Sequence, residues 1–192
     1  FRKLKGVRID MAEDTTLLVG ANNSGKTSAM HALRHFLVDG GRFSTHDFTL
    51  SHWHAINQIG DAWQTMQQGG DTGGSQPSMD DWGKVLPSLD VWLRVEKGEI
   101  HLVRSILPTL AWKPGSIGVR LRLEPKNIDD LYRDFTSAFA AARDTKAAAV
   151  AQTGDELKVK LWPHSMMDFL ERRLRAHFSL QAYVLDPKKT AV

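Results

Sequence analysis

Residues 20–27 read Gly-Ala-Asn-Asn-Ser-Gly-Lys-Thr. The spacing is G-x-x-x-x-G-K-[ST], the phosphate-binding loop called Walker A. No other stretch narrows the possible folds as much, because this loop works only between a buried strand and a helix. Thr15-Thr16-Leu17-Leu18-Val19 has the strand's composition, short, β-branched and apolar, and Ser28 to Leu37 reads as the helix. Gly20 and Gly25 permit backbone conformations that a side chain would block. The loop and first-turn amides then converge on an anion at the positive end of the helix. Lys26 adds a mobile cation, and the Thr27 hydroxyl is the expected protein ligand for Mg²⁺. Gly20, Asn22, Asn23, Ser24, Gly25, Lys26, Thr27 and Ser28 therefore form the candidate cradle for the phosphates of a nucleoside triphosphate.

A chain of 192 residues, 42% hydrophobic and 24% charged, has the composition of one globular domain. Without cysteine it has no disulfide and no thiolate metal site. No run approaches the roughly 18 apolar residues of a membrane span. The basic start, Phe1-Arg2-Lys3-Leu4-Lys5, lacks the apolar stretch of a signal peptide, so the cytoplasm is the expected location. A net charge of +3 does not by itself argue for nucleic acid. The early cations Arg2, Lys3, Lys5 and Arg8 read first as a solvated strand face.

Leu4, Val7, Ile9 and Met11 are spaced as a strand that would pair with residues 15–19 as a hairpin. These residues, with Phe1-Arg2-Lys3-Leu4 ahead of them and Leu17 to Ser28 behind, resemble the N-terminus of RecF/SMC-type ABC ATPases. Within that group, Asn22-Asn23-Ser24 resembles the OLD family of AAA-annotated ATPases and nucleases. The likeness covers about the first 50 residues, including Phe43-Ser44-Thr45-His46-Asp47-Phe48. It implies an α/β fold: a P-loop NTPase core like the N-terminal lobe of an ABC ATPase head, with an antiparallel β subdomain and added helices. It also implies ATP and Mg²⁺ as cofactors, Arg2 near the nucleotide and Asp47 near the metal. By the same resemblance the full protein would form a homodimer around ATP, act on DNA in repair or phage defence, and carry a C-terminal nuclease or effector domain. Residues 1–192 would then be a single, incomplete ATPase head.

Downstream, Asp39-Gly40-Gly41 stops the first helix, and Ser51 caps a second from His52 to Met66. Residues 67–81, rich in Gly, Gln and Ser, read as a mobile loop or linker. Strands are expected at Ser88–Val95, Gly115–Glu124, Leu157–Trp162 and Leu180–Leu185. Helices are expected at Glu99–Leu107, from Ile128 to about Ala149 behind an Asn127 cap, and after the Ser165-x-x-Asp168 capping box to about Phe178.

Other chemistry is weaker. The strand at 180–185 ends in Asp186, but Gln181 interrupts it and Pro187 stands where a catalytic Glu would follow, so an ordinary strand is the preferred reading over Walker B. His31 and His35 share a helix face, but the pair lacks a third metal ligand. Neither Asp80-Asp81 nor Asp129-Asp130 has the spacing of a Toprim nuclease site. Two other classes compete with the ATPase reading. One is a small P-loop kinase or nucleotide-metabolising phosphotransferase, opposed by the long segment ahead of the loop. The other is a nucleotide-responsive scaffold without catalysis.

Overall fold

Three helices with apolar stripes and one antiparallel sheet make the body of the molecule. The structure, a computed structural model, describes residues 1–68, 77–109, 112–153 and 161–185. In chain order the elements are α1 (Lys26–Leu37), a 3₁₀ turn (Thr45–Asp47), α2 (Leu50–Gln68), α3 (Met79–Gly83), β1 (Ser88–Val95), a second 3₁₀ segment (Ile100–Ile106), β2 (Gly115–Pro125), α4 (Ile128–Thr153), α5 (Met166–His177) and β3 (Phe178–Leu185).

The sheet is a meander of order β1-β2-β3, antiparallel throughout. Asp90 lies opposite Arg120, and Arg120 lies opposite Tyr183. The Arg120 guanidinium donates to both Asp90 carboxylate oxygens at 2.7 Å. Two residues on, Arg122 and the Tyr183 hydroxyl both donate to the buried Glu124 carboxylate. On this polar face Arg120 is held by its cross-strand partner Asp90, and Arg122 by Glu124 of its own strand. On the opposite face, Ile117 and Leu123 are buried.

The core joins helices to that sheet. Ile56 and Trp63 of α2, Leu131 and Phe135 of α4, and Phe169, Leu170 and Leu174 of α5 are buried together with Trp82, Leu123 and Phe178. Gly60 lets the helices approach: a Cβ there would lie 2.8 Å from the Met166 Cβ and 3.1 Å from the Phe135 ring. Asn127 Oδ1 accepts from the amides of Asp129 and Asp130, capping α4 as expected. Ser165 accepts from the Asp168 amide, while Asp168 reaches back to the His164 amide. The reciprocal half of that capping box is therefore displaced by one residue. From Arg143 to Ala148 every α4 residue is exposed.

Several expectations need correction. Residues 4–11 and 15–19 form no strand and no hairpin; Leu17 and Val19 are 81% and 83% exposed. The three strands pair only with one another, so among the described residues none flanks the segment before the loop. Ser51 lies inside α2, which starts at Leu50. The 67–81 stretch is not all loop: Gln67 and Gln68 end α2, and Met79–Gly83 is helical behind a Ser78 cap. Residues 69–76 lie outside the described residues. The helix expected at 99–107 is a 3₁₀ segment whose apolar side chains Ile100, Val103 and Ile106 are half-buried and none fully buried. Of the strand expected at 157–162, residues 157–160 lie outside the described residues and 161–162 are not extended into a sheet. Asp186 lies outside them too, and the strand before it, β3, is a sheet edge paired to β2 alone.

Candidate nucleotide-binding loop

The loop is shaped by two left-handed bends. Asn23 has φ +67° and Gly25 has φ +94°. Asparagine tolerates that region better than most residues, and glycine is unrestricted there. Gly25 faces a second constraint, because a Cβ would lie 3.2 Å from the Leu4 side chain. At Gly20 a Cβ would come within 2.9 Å of Ser24 Oγ. At Gly25 the left-handed φ is what favours glycine, while at both positions the neighbour a Cβ would meet is the end of a movable side chain.

α1 begins at Lys26 with Gly25 as its N-cap, and the Ala29 amide makes the first helical bond to the Gly25 carbonyl at 2.9 Å. No side chain caps this end and no acidic residue lies in the first turn. The first-turn amides and the helix dipole therefore favour an anion. Arg34 and His35 sit in the last turn, complementing the negative end. The Lys26 ammonium donates to the carbonyls of Gly20 and Ala21 at 2.6 and 2.7 Å and to Ser24 Oγ at 3.2 Å. Thr27 is exposed at the helix mouth. A glycine-hinged loop, an uncapped helix start, an ammonium and a hydroxyl are the donor set that a triphosphate with Mg²⁺ requires.

Arg2 and Asp47, selected separately from the sequence, are each other's partners. Arg2 Nε and one terminal nitrogen lie 2.9 and 2.8 Å from Asp47 Oδ1, and the Arg2 amide donates to the Asp47 carbonyl at 2.9 Å. The other oxygen, Oδ2, accepts from the Ser44 amide at 2.9 Å and the Ser44 hydroxyl at 3.1 Å. Burial pushes the Asp47 carboxyl upward, but these donors and the Arg2 charge outweigh it and hold it below the usual carboxylate range. His35 of α1 stacks on His31 and stands between Asp39 and Asp47, its nitrogens 3.6 and 4.0 Å from their carboxylates. The ring of Phe1 packs near Phe36 and Phe43. The chain start is therefore bound to α1 and to the segment after it.

The sequence reading missed Lys3, whose ammonium donates to Asn23 Oδ1 within the loop. The available signal was the early basic cluster, read as a solvated face. His46 and His54 are exposed, and His52 Nδ1 lies 2.9 Å from the Val85 carbonyl. Among the described residues no group of three or more His, Asp or Glu is arranged to hold a metal.

A family model for the AAA ATPase domain matches residues 1–169. The chain belongs to that family. The match includes the whole loop, β1, β2, α4 and the start of α5, and it stops before β3. No curated protein and no solved structure matches the chain. Membership implies a P-loop NTPase fold, nucleotide binding, and the use of ATP, usually with Mg²⁺. No described helix is long and apolar enough to cross a membrane.

Proposed function

We propose that this chain is the ATP–Mg-binding module of an OLD/RecF/SMC-like ATPase that acts on DNA, in repair or in defence against phage. The observation that carries the nucleotide half is the Lys26 ammonium at the uncapped start of α1. Gly20, Asn22, Asn23, Ser24, Gly25, Lys26, Thr27 and Ser28 hold the phosphates, and Thr27 supplies a hydroxyl to Mg²⁺. The metal neutralises and orients the phosphate tail. Asp47, with both oxygens already accepting hydrogen bonds, acts by anchoring Arg2 at the chain start. The DNA half, with dimerisation around ATP, a nuclease or effector partner and a cytoplasmic setting, rests on the resemblance of residues 1–50. Hydrolysis in this reading needs a Walker B Asp, a catalytic Glu and a signature loop from outside the described residues.

The test is titration calorimetry with ATP–Mg. Lys26→Ala is expected to weaken binding at least about a hundredfold, since several charge-assisted hydrogen bonds to phosphate are lost. Unchanged affinity in that variant, with its melting curve intact, defeats the nucleotide reading. Phosphate release with and without DNA then separates the classes. DNA-stimulated release supports the ATPase, transfer to a small acceptor supports a kinase, and binding without turnover supports a scaffold.

A further inference from the structure

Arg2 and Lys3 are adjacent in sequence yet serve different neighbours. Arg2 has φ +49°, a left-handed bend that is uncommon for a residue with a long side chain. Two hydrogen bonds to Asp47, one from the Arg2 backbone and one from Nε, with a terminal guanidinium nitrogen in ion-pair contact at 2.8 Å, hold the bend in place. The Leu4 amide closes the turn on the Phe1 carbonyl at 2.8 Å. With Arg2 committed to Asp47, the turn presents its next two side chains to the phosphate loop. Leu4 packs against Gly25, and the Lys3 ammonium donates to Asn23 Oδ1. The other early cations do not repeat this: Arg8 pairs with its neighbour Asp10 at 3.1 Å.

We infer that Lys3 is a second phosphate-side cation of the loop, and that the Arg2–Asp47 pair is the device that positions it. The inference deepens the nucleotide reading and rests on it. Lys26 reaches the loop from its helical end, bonding to Gly20, Ala21 and Ser24. Lys3 reaches it from the outer bend at Asn23. Asn23 is a neutral acceptor, so the Lys3 charge is uncompensated there. An ammonium on an amide oxygen gains further by moving onto a phosphate oxygen. A tail with more negative charge gains more from a second cation, so Lys3 favours ATP over ADP.

Calorimetry on the full chain with ATP–Mg and with ADP–Mg tests this. Lys3→Met should weaken ATP about fivefold and ADP less, the scale of one solvent-exposed charge contact. Lys3→Arg keeps the charge and should stay within about twofold of the unaltered chain. Asn23→Gly preserves the left-handed bend while releasing the anchor, and should cost ATP about twofold. Equal ATP affinity for Lys3→Met and the unaltered chain overturns the inference. So does an equal loss for ATP and ADP shared by Lys3→Arg, which marks a packing role. If binding persists, depends on Lys26 and ignores Lys3, only this inference fails. If the unaltered chain binds no ATP, the nucleotide reading fails first and takes this with it.

Discussion

Between Leu50 and Leu185 large apolar side chains mostly meet each other, whereas between Val7 and Val19 they meet solvent. Ile56, Leu131, Phe135 and Phe169 are fully buried, but Val7 and Met11 are 58% and 55% exposed and Leu17 and Val19 more so. Both regions carry Val, Leu and Ile, though only the body adds Trp and Phe. They differ in available partners. Every strand of the body has a hydrogen-bonded neighbour within 40 residues or in the adjoining meander strand. The segment before the loop has none among the described residues, and β-chemistry without a partner does not make a strand. The family's phosphate loop thus sits between the packed α1 and a segment that is largely exposed.

The sharpest way to probe this contrast is to remove a side chain from the body. Phe135→Ala should destabilise the protein by about 3–5 kcal/mol, read as a fall in the urea midpoint, because its ring is enclosed by Trp63, Phe139 and Phe169. Gly60→Ala should cost about 1–3 kcal/mol, since the added methyl meets Met166 and Phe135 before it meets space. A neutral outcome there shows that α2 and α5 are farther apart in solution.

Asp47 tests the bond that ties the chain start to the segment after α1. Its folded carboxyl titrates below the ordinary value of 3.8. The stability it contributes is therefore present above that value and lost as pH falls through the lower folded value. Asp47→Asn should cost about 1 kcal/mol at pH 7, with Arg2 partly solvated, and the deficit should shrink as pH falls below the ordinary carboxylate range. A deficit independent of pH assigns the loss to packing instead of charge. The smallest effect is expected at Leu17→Lys, within about 0.5 kcal/mol of no change. A loss of several kcal/mol at that position breaks the comparison, because it requires residue 17 to be buried.

How legible each part was follows the range of the interactions that fix it. The bounds of β1 came directly from alternation, and the starts of α4 and α5 from Asn127 and Ser165, whose capping bonds span two or three residues. The phosphate loop was legible for the same reason: Gly20 answers to nearby Ser24, and Gly25 to its own backbone φ. Contacts over long separations were not legible. Arg2 and Asp47 are 45 residues apart, and each was assigned to the nucleotide or its metal with no sign that they pair. Lys3 was hidden because its role depends on a bend at Arg2 that nothing in Phe-Arg-Lys-Leu announces. Residues 99–107 carry helix spacing but wind as a 3₁₀ segment whose apolar side chains are at most half-buried. The expected strand at 15–19 failed with its composition right and its neighbours absent.

The hydrogen bonds that Lys26 makes to Gly20, Ala21 and Ser24 have a thermodynamic consequence. An incoming phosphate does not meet a bare ammonium; it displaces three oxygens that already solvate one. Binding is an exchange of ligands around a fixed cation, so its heat should be smaller than the tally of new contacts suggests. An uncharged residue at position 26 would give up both sides of that exchange, leaving a loop whose carbonyls turn to water.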